Sequence, residues 1–205
     1  MNKFFWIDVE TTGLDPQQGD VLEVSFAVTD TELNIIDIAN WIIRQHGAED
    51  YVALRASGGD TGAETVLQMH RKTGLWEDIL SPKAWSENDA AKAMIQFLEQ
   101  NGITLKDPMC GSSVHFDRAW MAQHFPDVHA LFHYRNIDIS TLKELCRRLQ
   151  PEMFAYQEND LRPSMKEPFH RAENDVENTI AEARWYFDNF LFIPTIEVIS
   201  DPGEI

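Results

Sequence analysis

Asp8 and Glu10 stand two positions apart in Phe5-Trp6-Ile7-Asp8-Val9-Glu10, a run apolar enough to form a buried strand. Residues two apart on a strand leave the same face, so both carboxylates converge at the strand's end, as hard cations require. A solvated or ion-paired couple is the competing reading. An aspartate inside such an apolar run is nevertheless costly to bury unless a cation or hydrogen-bond partners meet it. Asp117 falls early in the helix that follows Gly111-Ser112-Ser113-Val114, where the helix dipole alone would favour it. Asp175 has the same standing at the start of the last helix, and His170 precedes it by five residues. Four carboxylates around one strand end could hold two divalent cations, Mg2+ or Mn2+, and a neutral histidine beside them could take a proton from an attacking water. Two ions and a base are the equipment for in-line attack on a phosphodiester.

These groups need a scaffold. Lys3 to Val9 reads as a central strand ended by Thr11-Thr12-Gly13, Val21 to Asp30 alternates as a half-buried strand, and Leu33 to Ile43 reads as its hairpin partner. Gln45 to Thr65 reads as a loop or short irregular helix. Ser86 should cap a helix from Glu87 to Gln100, with Asp89 three residues on. Strand Pro108–Ser112, helix His115–Phe125, strand Tyr134–Ile139 and helix Thr141–Gln150, capped by Ser140, follow in alternation. The proline-bearing stretch from Pro151 to Pro168 reads as a long loop, and Ala172 to Phe190 as a last helix with Val176, Ile180, Ala183 and Phe187 on its apolar face. Three antiparallel strands followed by alternating strands and helices predict an α/β sheet with helices on its faces.

Length and composition agree with one domain over 1–205: 205 residues, 43% hydrophobic and 25% charged, fit neither a disordered nor a membrane class. Acidic residues outnumber basic ones 34 to 17, a formal charge of -17 that disfavours broad capture of long nucleic acids. Cys110 and Cys146 form no CxxC pair and read as reduced and buried, which points to the cytoplasm. No apolar run reaches the roughly 18 residues of a spanning helix, and the apolar start is too short for a signal peptide, so no membrane partner is expected.

Three blocks resemble the motifs of the DEDDh 3'-5' exonucleases: Asp8-Val9-Glu10-Thr11-Thr12-Gly13-Leu14-Asp15, the segment around Asp117, and His170-Arg171-Ala172-Glu173-Asn174-Asp175. Met69-His70-Arg71-Lys72-Thr73-Gly74-Leu75, Cys110 to Arg118, and His133-Tyr134-Arg135 through Ser140-Thr141-Leu142-Lys143-Glu144 narrow the resemblance to the oligoribonucleases, over about residues 4 to 190. The resemblance implies a ribonuclease H-like mixed sheet, in which parallel strands follow the three antiparallel ones and helices cover both faces. It implies a homodimer that degrades short single-stranded RNA from the 3' end to 5'-mononucleotides. By position, Asp8, Glu10, Asp117 and Asp175 would hold the metals and His170 would be the general base. Leu14 would wedge between bases and His70 would line the base pocket. Ser113, Tyr134, Arg135 and Ser140 would meet phosphates, with Tyr134 and Arg135 donated by the other subunit.

The chain also departs from the family. Thr65 stands where an aromatic is usual, five residues before His70; the 45–65 segment is longer, and a tail over 191–205 has no counterpart. The alternative is a DEDDh exonuclease acting on single-stranded DNA or longer RNA 3' ends. A non-catalytic binding module on the same fold is a third reading, which loss of a ligand residue or of His170 would favour.

Overall fold

The computed structural model describes residues 2–44 and 61–191. Five strands form one mixed sheet in the order β3-β2-β1-β4-β5: β1 Phe4–Thr11, β2 Val21–Thr29, β3 Ile35–Ile42, β4 Pro108–Gly111 and β5 His133–Asp138. β1 pairs antiparallel with β2 and β2 with β3, whereas β4 is parallel to β1 and to β5. The expected mixed sheet is therefore present, with the carboxylate-bearing strand at its centre. The helices are α1 Thr61–Lys72, α2 Leu75–Ile79, α3 Glu87–Gln100, α4 His115–His124, α5 Pro126–His129, α6 Ile139–Leu149, α7 Pro151–Leu161 and α8 Ala172–Asn189.

Alternation along β1 divides the core between the two faces of the sheet. Phe5, Ile7 and Val9 enter a cluster with Met94, Phe97 and Leu98 of α3 and with Trp120 and Met121 of α4. Trp6 points the other way, into a cluster with Val176, Ile180, Ala183 and Tyr186 of α8, and its Nε1 donates to Thr29 Oγ1 at 3.1 Å. Asp8 and Glu10 share the Trp6 face and so emerge beside the first turns of α8.

Several elements differ from their sequence reading. β2 is buried at every position rather than on one face, because helices cover both sides of the sheet. Pro151 opens α7 instead of a loop. Proline fits the first helical turn, where its missing N–H is not needed, and a short 3-10 turn, Arg162–Ser164, continues from it. Asp138, not Ser140, caps α6: its carboxylate accepts from the Ser140 N–H at 3.0 Å and also from the Ser113 N–H at 2.9 Å, making two bonds where a hydroxyl cap makes one. Of the segment read as irregular, 61–65 is helical and the remainder lies outside the described residues, as does the tail beyond 191. Ser86 caps α3 as expected, accepting from Asp89 N–H. Both cysteines are free and buried.

Gly111 ends β4 close beside β1. A Cβ there would lie 3.0 Å from Ile7 O and 3.1 Å from the Val114 side chain, while Gly13 has nothing within 4 Å. Gly111→Ala is expected to cost about 1–3 kcal/mol, since backbone and a β-branched neighbour must move. Gly13→Ala should stay within about 0.5 kcal/mol. Urea midpoints of the two variants check both values.

Candidate active site

The C-terminal ends of β1 and β4 meet the start of α4 and the start of α8. Between them lies a cleft of about 290 Å3 lined by Asp8, Glu10, Asp117, His170 and Asp175, with Gly13, Leu14, Val66, Met69 and Phe116 as its apolar part. All five sequence-predicted acid and base residues therefore face one space.

Asp117, Asp175 and His170 are held by distinct local contacts. The parallel ladder pairs Phe5 with Met109 and Trp6 with Cys110; further along β1, the Val9 N–H donates to Asp117 Oδ1 at 3.0 Å. That bond ties α4 to the strand and turns the Asp117 carboxylate toward Asp8. Asp175, in the first turn of α8, accepts from the His170 N–H at 2.8 Å. His170 itself adopts φ 62, and Ser113 adopts φ 52. Non-glycine residues seldom occupy this left-handed region, and such strain concentrates at sites that need a side chain aimed. Ligand atoms of Glu10, His170 and Asp175 all lie within 4.8 Å of one another.

Crowding the carboxylates raises their proton affinity. Burial, then Asp117, Glu10, Asp175 and Glu23, push Asp8 well above the usual carboxylate range. Burial and the neighbouring Asp175, Glu23 and Asp117 lift Glu10 to about 9, although Arg171 opposes the shift. Burial lifts Asp117 to about 7 and raises Asp175 as well. Protons or cations must neutralise these groups. An all-oxygen donor set of buried carboxylates suits Mg2+ or Mn2+, so the residues present fit the ions expected of them.

The substrate-side residues are distributed unevenly. Leu14 is 86% exposed at the tip of a loop closed by Thr12 N–H to Asp20 O and by His124 Nε2, 3.0 Å from Pro16 O. His70 does not line the cleft. It is fully buried behind it, with Nε2 2.9 Å from Thr11 O and Nδ1 3.9 Å from Glu10 Oε2, and burial lowers its pKa. The carbonyl fixes the proton on Nε2, leaving the Nδ1 lone pair toward Glu10. Val66, one turn before His70 on α1, and Met69, next to that histidine and quoted in the sequence only as part of a motif, form the wall in its place. Thr65 is exposed. The Ser140 hydroxyl lies 2.9 Å from Ser112 Oγ and 3.0 Å from Ser113 Oγ. Ser113 also opens a second groove of about 440 Å3 with His115, Asp138, Ser140, Thr141 and Arg148. Tyr134, 75% exposed, and Arg135, its guanidinium 5.6 Å from the Tyr134 ring, project from edge strand β5 and line neither space.

Comparison with known proteins bears on this geometry. Residues 63–183 match the RNase_T family model, described as "Exonuclease", a span holding Asp117, His170 and Asp175. An oligoribonuclease of Aromatoleum aromaticum is 37% identical over 190 residues, covering 93% of this chain and 95% of its own. That of Escherichia coli K12 is 34% identical, with 93% and 96% covered. Among solved structures, E. coli Exonuclease I in complex with a dA16 oligonucleotide aligns with a TM-score of 0.66 at 18% identity. Exonuclease I of Methylocaldum szegediense aligns with 0.64 at 18%. The chain covers 42% and 41% of those two proteins, so they establish the shared fold alone.

The raised carboxyls set a pH dependence. Unfolded, they titrate near about 4; folded and without cations they titrate higher, so the native state binds more protons in between and stability falls as pH rises through that window. In chelator, Tm should therefore drop from pH 6 to pH 8.5, and the Tm gain on adding Mg2+ should be larger at pH 8.5. Glu10→Gln should flatten the fall in a thermal-shift titration.

Proposed function

The chain belongs to the oligoribonuclease family and is a 3'-5' exoribonuclease of the DEDDh superfamily; from that premise we propose that it hydrolyses short oligoribonucleotides to 5'-mononucleotides with two divalent cations. The observation that carries this reading is the convergence of Asp8, Glu10, Asp117, Asp175 and His170 on one cleft.

In this reading the four carboxylates hold the cations. When bound, the cations activate the attacking water and stabilise charge on the leaving 3' oxygen. His170, exposed on its left-handed backbone and anchored through its N–H to Asp175, takes the proton that water must lose. Water adds to phosphorus, the bond to the 3' oxygen breaks, and that oxygen takes a proton from solvent, so that a 5'-mononucleotide leaves a shortened chain with a free 3' hydroxyl. Leu14 wedges at the scissile step, with Val66 and Met69 opposing it as the apolar base wall. The hydroxyls of Ser113 and Ser140 meet the next phosphate. Tyr134 and Arg135, unused by their own chain's cleft, reach a partner's substrate in a homodimer and close the far end of the site. The described residues work as one exonuclease unit. Two free, buried cysteines support a cytoplasmic setting, and among the described residues no helix is long and apolar enough to cross a membrane.

Two features favour the longer-substrate reading: Thr65 stands where the family usually carries an aromatic, and the groove beyond Ser113 gives a longer chain somewhere to run.

Two measurements test the assignment. Asp175→Asn and His170→Ala should fold, yet lose activity on a ribodinucleotide, the histidine variant by about 100-fold or more. Near-normal turnover in either would move the chemistry elsewhere. On RNAs of two, five and ten nucleotides, Arg135→Ala should lose most kcat/KM on the dinucleotide, because a longer chain has other contacts to draw on. Equal losses at all lengths, or a fully active monomer by light scattering, would refute the capped, dimeric site while leaving the exonuclease intact.

A further inference from the structure

Glu23 stands directly opposite Glu10 in the β1–β2 ladder and is 1% exposed. Like charges paired across strands repel, and a carboxylate that deep must be fully hydrogen-bonded. Arg171 supplies the main answer: its Nε and Nη2 each lie 3.1 Å from a Glu23 oxygen, a two-pronged geometry that lysine cannot reproduce. The Ala172 N–H, at 3.0 Å, and Asn40 Nδ2, at 2.8 Å, complete the shell.

The same guanidinium reaches further. Its Nη2 pairs with Asp78 of α2 at 3.0 Å, and its Nη1 donates to Thr73 O at 3.2 Å, just past the helix whose Val66 and Met69 line the cleft. His170 precedes Arg171 in the chain, and Ala172, itself bonded to Glu23, begins the helix that carries Asp175. One side chain, 148 residues from Glu23 in sequence and next to the base in the chain, thus ties the sheet to the turn that ends the wall-bearing helix and to α2.

We propose that Arg171, locked on Glu23, is a positioning residue that sets His170 and Asp175 against Asp8 and Glu10 and holds the apolar wall at a fixed distance from them. It touches no substrate and acts through the residues on either side of it. This assignment rests on the exonuclease reading above. Reacting groups tolerate little misplacement, about 1 Å costing about 100-fold, whereas apolar base contacts are forgiving, so the loss should fall on kcat more than on KM.

The test uses the full chain with Arg171→Lys, Arg171→Met, and Arg171→Met combined with Glu23→Met. Turnover of a ribodinucleotide, Tm in chelator and the Tm gain on adding Mg2+ alone are read for each. Arg171→Lys keeps the charge without the fork; it should fold with Tm near wild type and lose about tenfold or more in kcat with KM within about threefold. Arg171→Met should lose Tm as well, because Glu23 is left buried and unpaired. Adding Glu23→Met should return Tm in chelator, since an apolar pair can replace a buried ion pair, but should restore neither kcat nor the Mg2+-dependent gain. Wild-type kcat in Arg171→Lys, or joint recovery of Tm and kcat in the double variant, would reduce the pair to packing and overturn the proposal. Should the double variant fail to fold, the lysine variant decides. Should wild type cleave no RNA, the exonuclease reading fails separately, and an undiminished Mg2+ gain in Arg171→Lys would still overturn the positioning role.

Discussion

Mutual repulsion among partly buried carboxylates is the constraint around which this molecule is arranged. Asp8, Glu10, Asp117 and Asp175 share a cleft that water only partly reaches, and each raises, or has raised, the proton affinity of a neighbour. No chain would converge such groups for stability, because burial and repulsion both oppose it. In the proposed reading their convergence is explained by what they would bind, cations that relieve the repulsion and supply charge at a phosphodiester.

The fold supplies the rigidity to hold that arrangement. β1 is central in the sheet, with aromatic and aliphatic side chains packed on both faces, so the Asp8–Glu10 pair cannot retreat. Asp117 is tied to β1 through the Val9 N–H, and Asp175 is tied to the His170 backbone. Glu23 adds a fifth charge beside the cluster, and Arg171 and the start of α8 take up its oxygens. The polar contacts around the cleft therefore separate the carboxylates that face the open space from the one carboxylate that protein groups pair.

What could be read from residues alone was local. The two-residue spacing of Asp8 and Glu10 on an apolar run, the Ser86 cap, and the periodicity of the last helix each reflect interactions within a few positions, and each has its counterpart in the structure. Misreadings came where one local signal outweighed another: Pro151 suggests a break yet suits a helix start, and Ser140 suggests a cap where Asp138 offers a better acceptor. The rest was non-local. Nothing near Glu23 announces a partner 148 residues on, and His70 looks available until α1 folds its imidazole inward behind Val66 and Met69. The site's residues were legible as a set, through the spacing of the blocks that carry them; their supports were not.

A carboxylate cluster this crowded should hold protons that cations displace. Isothermal titration of Mn2+ into the metal-free protein, repeated at pH 7 in buffers of different ionisation enthalpy, counts the protons released on binding. With Glu10 at about 9 and Asp117 at about 7, release should approach or exceed one proton per protein at pH 7 and should shrink as the pH is raised. Saturable Mn2+ binding with no proton release at pH 7 would contradict the account, because the carboxylates would then be neither crowded nor buried enough to need the metal.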